Sequence, residues 1–172
     1  MKNVFISDIK NAIRTDEIVW ETYKNIPVYT VETKDELRDL IENAIKLYGK
    51  DCSLNWINTS MIDDMSRLFE KLDPHNIDIS KWDVSNVKNM DSMFSHCRNF
   101  NSDLSRWNVS NVENMKWMFT CCENFDSDLS KWDVSNVKNM AVMFAHCRNS
   151  NLDLSRWNVS NVKSMDSMFS NF

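Results

Sequence analysis

From Asp78 onward the chain alternates apolar and polar positions on a rhythm that returns every 25 residues. Asp78-Ile79-Ser80-Lys81-Trp82-Asp83-Val84-Ser85-Asn86-Val87 opens one unit, and Asp103, Asp128 and Asp153 open the next three. Within a unit, Val87, Met90, Met93 and Phe94 stand at i, i+3, i+6 and i+7. That spacing predicts a helical turn, with Asn86 or Ser85 as its N-cap. The D-[IL]-S stretch before it reads as a short buried strand. Trp recurs at 82, 107, 132 and 157, and Phe at 94, 119, 144 and 169. One strand and one turn cannot bury their apolar side alone, so units must stack, about 4.8 Å apart if strand-like. Each repeated side chain then becomes a ladder, and the Trp, Val, Met and Phe ladders are the expected core.

A degenerate unit precedes these four. Leu54 takes the place of Ile79 and Ile57 that of Trp82, and Ile62, Met65, Leu68 and Phe69 follow in register. Its Asp63 and Asp64 suit a terminal unit. A slower period of 50 residues is also present. Units one and three read K-W-D and H-C-R-N, whereas unit two reads R-W-N and C-C-E-N, and unit four shares R-W-N. Duplication of a two-unit block explains this.

Before Cys52 the rhythm changes. Thr33 and Glu36 form a capping box. Leu37, Leu40, Ile41, Ala44, Ile45 and Tyr48 then follow helical spacing, and Gly49 stands where a C′ glycine belongs. Pro27 to Val31 predicts a short strand or extended lead-in, and Ser7 to Lys24 a further helix. The expected organisation is a helical N-terminal cap over residues 1–52 and a repeat array over 53–172. The array divides into a degenerate unit 53–77, full units 78–102, 103–127 and 128–152, and a truncated unit 153–172. The expected fold class is an α/β repeat solenoid, a right-handed leucine-rich-repeat-like stack whose open end the cap covers.

The shared pattern W-D-V-S-N-V-x-N-M-x-x-M-F resembles the unit of the BspA-like leucine-rich-repeat surface proteins, the DUF285 or mycoplasma-lipoprotein repeat family. Trp82 to Phe94 reproduces it nearly letter for letter. The resemblance runs from Leu54 to Phe172, and residues Lys34 to Phe69 look like the lead-in before such arrays. It implies bacterial surface proteins that mediate adhesion and protein binding, and it brings no catalytic residue. The family often has Gly two places after the M-F pair. This chain has His96, Cys121, His146 and Asn171 there, of which Asn and His tolerate a positive φ better than Cys. The resemblance implies the cell surface, while the start of the chain shows no signal peptide and no stretch long enough to span a membrane, which reads as cytoplasmic.

Composition narrows the chemistry. With 20 Lys and Arg against 25 Asp and Glu, net charge −5, there is no basic stripe for nucleic acid. Gly49 is the single glycine, so phosphate-cradling loops are excluded, and no cofactor is expected. Five cysteines favour free thiols over a disulfide framework. His96, Cys97, Cys121, Cys122, His146 and Cys147 are the residues a metal-binding or redox reading would use. The simpler reading makes Cys97, Cys122 and Cys147 an inward thiol ladder, with His96 and His146 at a turn and no metal. The Asp78, Asp103, Asp128 and Asp153 row is neutralised by cations three residues on and bonds local backbone. The Asn86 row satisfies turn backbone in the same way. Paired carboxylates would recur in every unit, unlike one site in a pocket, so no catalytic residue is expected.

The expected function is non-enzymatic binding of a protein partner through an exposed ladder face. Its candidate residues are Lys81, Asp83, Arg106, Asn108, Lys131, Asp133, Arg156 and Asn158. The alternative is a self-associating scaffold, an end-to-end homo-oligomer through the uncapped C-terminal unit.

Overall fold

The computed structural model describes residues 29–172. The helix expected over Ser7 to Lys24, and the first part of the Pro27 to Val31 lead-in, lie outside them. The regular elements among the described residues are β1 (Tyr29–Thr30), α1 (Lys34–Tyr48) and β2 (Ile57–Asn58).

α1 forms where its apolar spacing predicts. The Thr33 hydroxyl accepts from the Glu36 N–H at 3.2 Å, closing one half of the capping box. The other half shifts by one residue, because Glu36 accepts from the Glu32 N–H rather than from Thr33. Asp35 and Glu36 in the first turn and Lys46 in the last complement the helix dipole. Gly49 ends the helix at φ 86°, and its N–H donates to the Ile45 carbonyl. The apolar stripe Leu37, Leu40, Ile41 and Ala44 is buried in the same core as the repeats. β1 pairs in parallel with β2, Tyr29 opposite Ile57 and Thr30 opposite Asn58.

Beyond β2 the repeat is built of turns, which corrects the expected strand and helical turn. No helix occurs there, and the D-[IL]-S stretch is no strand, only the Ser53–Asp78 bridge marking its start in the first two units. In unit one the Met93 N–H donates to the Met90 carbonyl at 3.2 Å and the Cys97 N–H to the Phe94 carbonyl at 3.0 Å. Their third residues, Ser92 and His96, have φ of 57° and 63°. These are successive type II turns. The same geometry holds at Trp117 and Cys121, at Val142 and His146, and at Ser167 and Asn171. A turn repeats its inward side chains every three or four residues, as a helix does, so apolar spacing alone does not separate the two. The positive φ at 96, 121, 146 and 171 explains why glycine suits that position.

Left-handed backbone costs an L-residue roughly 1–2 kcal/mol, and interunit hydrogen bonds hold it in place. The Met90, Ser92, Phe94 and His96 N–H groups donate to the carbonyls of Asn114, Lys116, Met118 and Thr120, at 2.8–2.9 Å. Parallel bridges link Asp64, Asn89, Asn114, Asn139 and Ser164, each 25 residues from the next. From Met90 to His96 and at their equivalents the bonding N–H groups face the following unit and the accepting carbonyls the preceding one, whereas just before them Lys88, Glu113 and Lys138 donate back to the carbonyls of Asp63, Lys88 and Glu113. The first unit therefore turns carbonyls toward α1, which meets them with cations. Arg38 Nη1 donates to the Arg67 and Leu68 carbonyls, each at 2.8 Å. Lys34 Nζ reaches the Asp64 carboxylate at 2.8 Å and the Ser66 hydroxyl at 2.9 Å.

The interior is the set of ladders. Phe69, Phe94, Phe119 and Phe144 stack with centroids 5.2–5.6 Å apart. Trp82, Trp107, Trp132 and Trp157 are buried, and each indole N–H donates to the carbonyl 28 residues earlier, Leu54, Ile79, Leu104 and Leu129 respectively. The paired Val, Met and Phe positions are buried in units one to three, whereas Val159, Met165 and Phe169 are exposed in the last.

Candidate binding surface

The eight residues expected to form a binding row, from Lys81 and Asp83 to Arg156 and Asn158, are all exposed. Each follows or precedes a buried Trp, so the indole ladder anchors the row from beneath. Between units one and two the row opens into a cleft of about 310 Å³ lined by Ser80, Lys81, Trp82, Asp103 and Arg106. The acidic and amide members are partly committed to the backbone. Asp83 Oδ1 accepts from the Ser85 N–H at 3.0 Å and from its hydroxyl at 2.6 Å. Asn108, Asp133 and Asn158 accept from the N–H two residues on in the same way. Binding through these residues falls to their second oxygen or amide.

The aspartates that open each unit are turn-formers. The hydroxyl and N–H of Ser105 hold the Asp103 carboxyl below the ordinary carboxylate range, and Ser130 and Ser155 do the same for Asp128 and Asp153. The folded state thus favours the ionised form. That contribution is complete at neutral pH, above the ordinary carboxylate value near 3.9, and is lost as pH falls through the folded values. The denaturation midpoint is expected to fall as the solution is acidified below about pH 4, and to fall less steeply in a Ser105→Ala, Ser130→Ala, Ser155→Ala variant. A midpoint whose acid dependence the triple variant leaves unchanged contradicts this assignment.

The Asn86, Asn111, Asn136 and Asn161 amides each donate to the serine carbonyl 26 residues earlier, at 2.7–2.8 Å. The 50-residue period gains a physical meaning at the charged columns. Asp63, Lys88, Glu113 and Lys138 alternate in sign before Lys163 repeats the positive charge, and Asp73, Arg98, Glu123 and Arg148 alternate throughout. Opposite neighbours along the stack pair, as in Lys138–Glu113 at 2.5 Å and Arg98–Glu123 at 3.7 Å. Such exposed pairs are each worth little.

The structure separates the His and Cys residues. Cys97, Cys122 and Cys147 are buried, and their thiols donate to the carbonyls of Phe69, Phe94 and Phe119 at 3.0–3.1 Å. His96 and His146 stand on the left-handed turn residues, with Cys121 half-buried between them in the same column. Among the described residues no group of three or more His, Cys, Asp or Glu side chains comes together to hold a metal ion. All five thiols are free. Burial pushes Cys97 and Cys147 up to about 12, and Cys122 well above its ordinary value. The thiolate is the reactive species. A thiol reagent at mildly alkaline pH is therefore expected to modify Cys121 alone in the folded protein and all five cysteines after denaturation. Fast modification of Cys122 in the folded state would contradict the buried ladder.

No helix among the described residues is long and apolar enough to cross a membrane. Five consecutive units joined by a 25-residue register, closed at one end by α1 and β1, define a tandem-repeat protein. A family model described as Mycoplasma protein of unknown function, DUF285, matches residues 35–147 and 107–172. The chain belongs to that family, the one its Trp82 to Phe94 motif resembles. No curated protein and no solved structure matches it.

Proposed function

We propose that this protein is a non-enzymatic protein-binding module of the adhesion type, built as a right-handed leucine-rich-repeat-like solenoid. The observation that carries the reading is the exposed row from Lys81 to Asn158, set at unit spacing over buried indoles. Stacked repeats present extended, rigid surfaces of this kind, and rigidity lowers the entropy lost on binding. Membership of the DUF285 family is compatible with a surface repeat protein. The test is charge reversal along the row, Lys81→Glu, Arg106→Glu, Lys131→Glu and Arg156→Glu together, measured against partners captured by the parent protein. Loss of binding with an unchanged melting curve supports the row; binding to every partner at parental affinity removes it.

A further inference from the structure

The two central repeats depart together from their neighbours. Units one and four both read Met-Asp-Ser-Met-Phe-Ser, over residues 90–95 and 165–170. Units two and three read Met-Lys-Trp-Met-Phe-Thr and Met-Ala-Val-Met-Phe-Ala, over 115–120 and 140–145. The 25-residue register sets these changes side by side. The Trp117 N–H donates to the Ala141 carbonyl at 3.0 Å, and the Thr120 hydroxyl to the Val142 carbonyl at 2.6 Å.

The stack does not require Trp117 or Val142. Trp117 and Val142 occupy left-handed backbone, at φ 56° and 62°, where a bulky or β-branched residue is least at ease. Serine fills the same place in units one and four. Trp117 is 36% exposed, while Trp56, Trp82, Trp107, Trp132 and Trp157 are all buried. Backbone strain and an exposed indole at one spot point to a role other than folding. The Lys116 ammonium lies 3.9 Å from the Trp117 ring centre and adds a cation. In the flanking units the equivalent residues are Asp91 and Asp166.

We propose that Trp117, Val142 and Lys116 form a docking site for a loop of a partner protein that carries a large apolar side chain beside a carboxylate. The apolar side chain packs on the indole and valine, and the carboxylate pairs with Lys116. Asp91 repels a carboxylate displaced by one unit toward α1, Ala141 offers it no cation one unit the other way, and Asp166 repels it two units away, which favours the register at Lys116. The patch is two units wide, about 10 Å, the breadth of one anchor residue. This rests on the protein-binding reading and adds an anchor to it, on columns separate from the charged row.

The test pans a phage-displayed library of random dodecapeptides on the full chain. Selected peptides are then titrated against the parent, a Trp117→Ser, Val142→Ser variant and the fourfold charge-reversed row. Serine is native at this position in units one and four, so the double variant folds, with a melting temperature at or above the parent's. The expected peptides pair Leu, Ile, Phe or Met with Asp or Glu. They bind the double variant about thirtyfold or more weakly and protect Trp117 from acrylamide quenching. Peptides that bind the double variant as well as the parent, yet are lost on row reversal, overturn the docking site and leave the protein-binding reading standing. Enrichment no greater than on the denatured chain overturns both.

Discussion

Phe119→Ala is expected to lower stability by about 3–5 kcal/mol, the range for truncating a fully buried phenylalanine. Phe119 has no exposed surface and stacks between Phe94 at 5.6 Å and Phe144 at 5.5 Å. Phe125 lies against it at 4.2 Å, and Trp132 at 6.3 Å. These neighbours are held by interunit hydrogen bonds, among them the Phe119 N–H to the Met143 carbonyl at 3.0 Å, so they cannot close freely over the cavity. Position in the array adds a second consequence. Repeat arrays are stabilised by nearest-neighbour interfaces, and Phe119 serves both interfaces of the central unit. Its loss weakens coupling between the two halves as well as total stability. Urea unfolding is expected to shift its midpoint downward and to broaden. The equivalent Phe169→Ala, at a half-exposed site in the last unit, should cost far less. Equal costs at both positions would show that the Phe ladder does not couple the units as described.

Leu37→Ala is expected to cost about 2–5 kcal/mol, and to do so by releasing α1. Leu37 is fully buried on the apolar stripe of a 15-residue helix. A helix of that length is marginal by itself in water, so its persistence depends on docking. Docking also orients Arg38 on the Arg67 and Leu68 carbonyls and Lys34 on Asp64. Once the stripe lets go, those carbonyls of the first unit lose their cationic cover. Hydrogen exchange is the measurement. The α1 amides should exchange faster by orders of magnitude, with the first unit partly deprotected, while the units beyond Phe94 keep their protection. Uniform loss of protection from Leu37 to Phe172 would mean that cap and repeats unfold as one body.

The sequence makes the core legible because each ladder is written four or five times. Trp82, Met90, Phe94 and Cys97 return at constant spacing, and the structure buries them and their equivalents through unit three. Capping residues Thr33 and Gly49 act locally, so they too are readable without tertiary information. The local conformation of the repeat is not. Val87, Met90, Met93 and Phe94 satisfy a helix and a run of type II turns equally well, and Ser92, Trp117, Val142 and Ser167 give no glycine or asparagine signal at the residue that turns left-handed. Interunit hydrogen bonds decide that point, and they belong to the stack rather than to any one segment. For the binding surface, the regular columns draw attention to Lys81 and its equivalents, whereas Trp117 stands out only where the copies differ. Its place off the 25-residue Trp rhythm is the signal in the sequence.

The most direct measurement of partner binding through the row is site-specific photocrosslinking in the producing cells. A benzophenone amino acid replaces Asn108 in the row and, in a separate strain, Asn124 in the exposed amide column elsewhere on the same unit. The predicted result is a discrete protein adduct from position 108, lost on charge reversal of Lys131 and Arg156, and none from position 124. An absence of adduct at 108, or the same adducts from both positions, would contradict the account.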